Sequence, residues 1–131
     1  MPERKDTETQ SVSSRDLAIA AARAAADKQG ERVVVLDVRE LIVITDYFVI
    51  ASGGSERQVR TIVEEVEKAL RELGMKPIRR EGEDDRRWVL LDFFDIVVHV
   101  FAQEERDYYD LERLWGDAPT LEWENIGAAS G

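Results

Sequence analysis

Gly53, Gly54 and Ser55 stand between an apolar run and an amphipathic one, and a glycine turn ahead of a helix presents backbone N–H groups that suit a phosphate. Glu65 and Glu67 follow downstream. Two acids at i and i+2 on a strand after such a turn would hold magnesium for nucleotidyl transfer. These two fall within helical spacing instead, where i and i+2 point roughly 200° apart and cannot converge on one ion. The turn therefore reads as a tight strand-to-helix connection with Ser55 as cap. His99 is the single histidine, numerically sufficient for a Ser-His-Asp arrangement, yet it sits mid-strand in an apolar run and reads as a structural or interface histidine. Asp92 and Asp95 alone are too few ligands to hold magnesium. A chain with no cysteine has no disulfide, zinc thiolate or thiol nucleophile. No catalytic group, metal or cofactor is expected.

The elements that carry these residues follow from periodicity. At 131 residues and 44% hydrophobic, the chain suffices for one core. Residues 1–13 are polar and aperiodic and read as a disordered tail. Ser14 is placed to cap an alanine-rich helix over 14–29 that stops at Gly30. Short apolar runs predict strands at 33–36 and 47–52. Ser55 and Gln58 have capping-box spacing, and Val59, Ile62, Val63, Val66, Ala69, Leu70 and Leu73 recur at helical spacing up to Gly74. A strand at 78–80 and a charged loop at 81–87 follow. Helix, two strands, helix and then mostly strands is the order of a single α/β layered domain with a mixed sheet. That domain spans 14–116 and leaves 117–131 as a C-terminal tail. No stretch approaches the ~20 apolar residues of a membrane span, and residues 1–14 lack both the apolar core of a signal peptide and the acid-poor composition of a transit peptide. A soluble cytoplasmic protein is expected.

Residues 88–115 have the most unusual composition. Paired across a two-residue Phe93-Phe94 turn, strands 88–92 and 95–101 would set Leu91 opposite Ile96, Leu90 opposite Val97, Val89 opposite Val98 and Trp88 opposite His99. Val89, Leu91, Ile96, Val98 and Val100 then form an aliphatic face for the helices, while Trp88, Leu90, Val97, His99 and Phe101 form a mixed face suited to an interface. Phe-Phe is a poor two-residue turn and would oppose Asp92 to Asp95, so a longer loop with shifted pairing is the alternative. Either way, Phe93 and Phe94 flanked by Asp92 and Asp95 make an apolar tip with an acidic collar, a candidate hot spot. A final helix over 105–115 would bury Tyr108, Leu111, Leu114 and Trp115 and leave Glu105, Tyr109 and Glu112 on an open flank.

Three runs in this region have the patterns W-x-L-L-D (from Trp88), D-h-V-V-H-h-F (from Asp95, h apolar) and Y-x-L-E-x-L-W (from Tyr109). Together with the upstream stretch LDVRELIVITDYFVIASGGSERQV, they resemble the ribosomal silencing factor family, also called RsfS or Iojap-like, over residues 17–115. The resemblance implies a nucleotidyltransferase-like architecture without the catalytic residues, built on a mostly five-stranded sheet flanked by helices. It also implies a translation repressor rather than an enzyme. Such a protein would dock on a basic protein of the large ribosomal subunit, large-subunit protein fourteen, and sterically prevent the small subunit from joining. Many family members have Gly where this chain has Phe94.

The charge agrees with such a partner. Residues 81–124 hold 14 acidic side chains against 4 basic ones, a balance of −10 that is the whole formal charge, while the remainder carries 14 of each. That field repels phosphate and attracts basic protein, so no direct nucleic-acid binding is expected beyond edge contact with ribosomal RNA. The bland alternative is an acidic surface kept for solubility. The candidate partner-binding residues are Trp88, Leu90, Asp92, Phe93, Phe94, Asp95, His99, Phe101, Tyr109 and Glu112. Two rival functions stand beside the repressor: a nucleotide-binding or nucleotidyl-transferring enzyme using the Gly53-Gly54-Ser55 turn, and a homodimeric adaptor that self-associates through the hairpin face.

Overall fold

The computed structural model describes residues 12–124. Helix α1 (Ser14–Asp27) leads into strands β1 (Glu31–Asp37) and β2 (Tyr47–Gly53) and then the long helix α2 (Glu56–Glu72). Strands β3 (Arg79–Glu81), β4 (Trp88–Asp92) and β5 (Ile96–Ala102) follow, and two short helices, α3 (Gln103–Tyr109) and α4 (Leu111–Leu114), come after β5. The strands form one sheet in the order β1-β2-β5-β4-β3. β2 and β5 run parallel and the other neighbours antiparallel, which makes the sheet mixed and the domain α/β, as expected.

α1 and α2 cover one face of the sheet. Alanines 18, 21, 22 and 25 with Leu17 give α1 a thin buried stripe. α2 buries Val59, Ile62, Val63, Val66 and Leu70 at helical spacing. Against them lie Val35, Tyr47, Val49, Val89, Leu91, Ile96, Val98 and Val100 from four strands. The cap of α1 is Ser13, one residue before the expected Ser14, with its Oγ accepting from the Asp16 N–H at 3.1 Å. Ser14 is the first helical residue, and its Oγ donates to Asp46 Oδ2 at 2.7 Å, clipping α1 to the end of the β1–β2 loop. Gly30 is needed for space: its N–H donates to the Ala25 carbonyl at 2.8 Å, and a Cβ there would come within 2.7 Å of that oxygen.

The capping box at α2 is half closed. Ser55 Oγ accepts from the Gln58 N–H at 3.1 Å, whereas the Gln58 side chain accepts from the Gly54 N–H at 2.7 Å and donates to the Gln29 carbonyl at 2.9 Å. It thus ties the two turns at this end of the sheet.

The hairpin differs from the two-residue turn in register but not in facing. Trp88 pairs with Phe101, Leu90 with His99 and Leu91 with Val98, a shift of two residues that leaves every side chain on its expected side. The longer loop has a physical cause. Phe93 drops into the core while Phe94 takes the left-handed backbone at φ 77, with its N–H bonded to Asp92 Oδ1 at 2.8 Å. Asp92 consequently faces Val97 rather than Asp95.

Residues 1–11 and 125–131 lie outside the described residues. Residues 119–123, expected within the C-terminal tail, run along the outer edge of β1: the Asp37 N–H donates to the Pro119 carbonyl and the Leu121 N–H to the Val35 carbonyl, both at 2.8 Å. Trp123 Nε1 donates to the Val33 carbonyl at 3.1 Å, and Leu121 and Trp123 pack against the main core. The segment satisfies polar groups that an open edge strand would leave to solvent or to another chain.

Candidate partner-binding face

On the sheet face opposite α1 and α2, Leu36, Val38, Phe48, Ile50, Phe101 and Leu111 form a second buried cluster, edged by half-buried Trp88, Val97 and Trp115. Aromatic side chains meet one another across it. Trp88 stacks on Phe101 at 4.9 Å between ring centroids and lies against Tyr109 at 4.6 Å. Phe48 meets His99 and Trp115 edge-on at 4.9 and 5.7 Å. Such offset and perpendicular contacts are the favoured aromatic geometries.

His99 is 5% exposed, and its Nδ1 accepts a hydrogen bond from Trp88 Nε1 at 3.1 Å. That bond fixes the proton on Nε2, a buried nitrogen with no hydrogen-bond partner. Burial holds the imidazole neutral, with its pKa lowered from 6.5 to about 4. The histidine thus orients Trp88 by accepting its indole N–H.

The expected final helix is two helices, broken at Asp110, whose φ is 47. The break has a cause that sequence periodicity does not carry. Arg106 is fully buried, with Nε donating to Glu112 Oε1 at 3.0 Å, Nη1 to Ser52 Oγ at 3.3 Å and Nη2 to the Arg32 carbonyl at 2.7 Å. A buried guanidinium requires partners on every side. Arg32 presents its carbonyl from a left-handed backbone at φ 52, inside a register irregularity of β1. Asp110 turns the chain so that Glu112 returns to Arg106. Leu111 is buried and Trp115 half-buried as expected, but Tyr108 is 81% and Leu114 70% exposed, the reverse of the core placement that one continuous helix would give them.

The ten candidate residues therefore divide. Trp88, Leu90 and Tyr109 share the mixed face with part of each side chain open, and Phe94 projects from the hairpin tip at 63% exposure. Phe101 is 0% exposed and builds the face from beneath rather than touching a partner, as does His99, whereas Phe93, also 0% exposed, belongs to the main core on the helix side of the sheet. Asp92 is engaged with Arg79 Nη2 at 3.4 Å and Glu112 with Arg106. Asp95 accepts the Asp46 N–H on its backbone carbonyl, and burial together with the nearby Asp46 raises its carboxyl pKa. Arg106 had no signal in hydrophobic periodicity; an arginine three residues before a Tyr-Asp-Leu-Glu run reads simply as surface charge.

The Gly53-Gly54-Ser55 turn lies at the surface where β2 gives way to α2. A cleft of about 280 Å³ lies over it, but its two arginines are engaged, Arg86 with Glu56 at 3.0 Å and Arg87 with Glu104 and Glu105 at 3.0 and 2.9 Å. Glu65 and Glu67 both lie on α2, and Glu67 is gripped by Arg80 at 2.7 and 3.0 Å. Among the described residues no group of three or more His, Asp or Glu could hold a metal ion, and no helix is long and apolar enough to cross a membrane.

The comparisons with known proteins converge with this geometry. A family model described as ribosomal silencing factor during starvation matches residues 11–130. The ribosomal silencing factor of Halalkalibacterium halodurans is 46% identical over 115 residues, covering 88% of this chain and 98% of the relative. That of Bacillus subtilis is 46% identical over 99 residues, covering 76% and 84%. The chloroplastic Iojap protein of Zea mays is 33% identical over 80% of this chain and 46% of its own length. A crystal structure of a Chromobacterium violaceum protein superposes with a TM-score of 0.77 at 35% identity, covering 80% of this chain and 88% of that one. A second, from Bacillus halodurans, gives 0.72 at 44% identity over 82% and 98%. The chain belongs to the ribosomal silencing factor family.

Proposed function

We propose that this chain is a cytoplasmic, non-enzymatic translation repressor. It docks through the face around Trp88 and Tyr109 on a basic protein of the large ribosomal subunit, large-subunit protein fourteen, and sterically prevents the small subunit from joining. The observation that carries this reading is a rigid aromatic face, half open at Trp88 and Tyr109, set within the region that bears the whole net charge of −10. Aromatic anchors supply desolvated contact, and the carboxylates supply orientation against a basic surface. Family membership supports a ribosomal partner. So does a mouse relative, 35% identical over 63% of this chain and 38% of its own length, named mitochondrial assembly of ribosomal large subunit protein 1. Occlusion requires no catalytic group.

The test is a pull-down of purified large subunits, with and without protein fourteen, by the wild-type chain and by Trp88→Ala and Tyr109→Ala. Binding that depends on the protein, and that weakens by roughly 1 to 4 kcal/mol in each variant, is expected. Equal retention of subunits lacking protein fourteen would defeat the reading. Calorimetric titration with nucleoside triphosphates and magnesium is expected to show no binding at the glycine turn.

A second reading has its own observation. Val43 is 99% and Ile44 76% exposed in the β1–β2 loop, whose Asp46 is bonded to the hairpin tip beside Phe94, an apolar surface that also suits self-association. Mass measurement in solution distinguishes a dimer from a monomer.

A further inference from the structure

Asp107, Tyr108, Tyr109, Asp110, Arg113 and Leu114 line a cleft of about 540 Å³ at the corner between α3 and α4. We propose that this corner seats an arginine side chain of a basic protein in the angle formed by the Tyr108 and Tyr109 rings. The proposal rests on the docking reading only for the identity of the protein that carries the arginine.

The corner is built, not frayed. Left-handed backbone at Asp110 ends one helix and starts the next, so that Leu111 enters the core while Tyr108 and Leu114 turn outward. The buried Arg106 fixes that arrangement from beneath through Glu112, Ser52 and the Arg32 carbonyl. Strained backbone that holds large apolar groups in solvent is a mark of a contact surface.

The two tyrosine rings meet at 5.0 Å and 90°, forming a two-walled aromatic corner, and Trp88 backs Tyr109 at 4.6 Å. A cation placed there meets a ring face and a carboxylate of the same cleft. Asp107 is already bonded to Arg32 at 2.6 Å. Asp110 is the other acid of the wall. The molecule makes this union elsewhere within itself: the Arg39 guanidinium lies 5.4 Å from the Tyr47 ring centroid while gripping Asp37 through Nε at 2.9 Å and Nη2 at 2.7 Å. Arginine suits the corner better than lysine because its planar group stacks on a ring and forks to a carboxylate at once. Arg113, on the same wall, opposes an incoming cation, and this gives the test a second direction.

The experiment titrates the full-length chain with N-acetyl-Gly-Arg-Gly-amide and, separately, with the same peptide carrying uncharged citrulline, following aromatic ring protons by NMR. The arginine peptide is expected to move the Tyr108 and Tyr109 resonances and the citrulline peptide to leave them in place. Tyr108→Ala, at a side chain too exposed to support the fold, is expected to weaken binding roughly threefold to tenfold. Arg113→Gln is expected to tighten it roughly twofold to threefold. Equal responses to the two peptides, or shifts confined to other residues, overturn the proposal. Because neither titration contains a ribosome, its failure leaves the docking reading standing. A chain that takes the peptide but retains no large subunits upholds the corner and defeats the docking reading.

Discussion

His99 was legible as a non-catalytic histidine because it interrupts an apolar strand, but its task as acceptor for Trp88 Nε1 required the register of the hairpin. The burial of His99 has a consequence for pH. The folded pKa lies near 4 against an ordinary 6.5, so between these values the unfolded chain binds a proton that the fold excludes. Stability from this group is therefore fully present above pH 6.5 and is lost as pH falls toward 4, by about 3 kcal/mol in all. His99→Phe, of similar shape and without a titrating group, is expected to flatten that part of the curve of denaturation midpoint against pH, at the expense of an unpaired Trp88 N–H. An unchanged slope between pH 6.5 and 4 would show that His99 is not the group responsible. The exposed face was legible at Trp88 because alternation on a strand separates it from the aliphatic side, and at Tyr109 because helical spacing carries it about 100° round from Tyr108. Arg106 was not, since only its burial at 0% exposure distinguishes it from a surface arginine.

Elements were readable where one period dominates and obscure where a long-range bond breaks it. α2 follows from its apolar spacing and cap alone, and the faces of the β4–β5 hairpin survive a two-residue error in register because side chains repeat every two residues. The α3–α4 break depends on Arg106 reaching β1 and β2, and the edge pairing of residues 119–123 depends on where β1 lies, so neither was visible in local pattern. The Gly53–Ser55 connection was read correctly as a turn, but the reason for its first glycine is space rather than conformational freedom. A Cβ on Gly53 would meet the Val59 N atom at 3.1 Å and its Cγ2 at 3.2 Å, whereas one on Gly54 meets nothing nearer than Gln58 Oε1 at 3.6 Å. Gly53→Ala should cost about 1 to 3 kcal/mol by overpacking the start of α2, and Gly54→Ala should be neutral or stabilising by up to about 1 kcal/mol. Urea unfolding midpoints at constant m-value measure the difference. Equal effects would mean that α2 is set further from β2 than the geometry has it.

At the scale of the whole molecule, the charge and the aromatics occupy one region for separable reasons. The three candidate carboxylates, Asp92, Asp95 and Glu112, are engaged within the fold: one pairs with Arg79, one is partly buried beside Asp46, and one neutralises Arg106. Neutralising them would loosen the hairpin and the α3–α4 corner and would confound steering with stability. Steering belongs to exposed carboxylates such as Asp84, Asp117 and Glu83, the last held only by a long 3.8 Å contact with Arg80, which contribute to the same −10 over residues 81–124. A field of that kind accelerates encounter with a basic surface and is screened within about 10 Å at 0.1 M salt, while the aromatic contacts that resist dissociation are not. Association with large subunits should therefore slow by roughly an order of magnitude as salt rises from low to moderate, with a much smaller change in dissociation. The triple variant Glu83→Gln, Asp84→Asn, Asp117→Asn should associate more slowly at low salt, show a shallower salt dependence, and dissociate at the wild-type rate. Stopped-flow association and dissociation rates across a salt series measure both. Were the variant to keep the full salt dependence, the acidic surface would have a solubility role, and recognition would rest on the aromatic face alone.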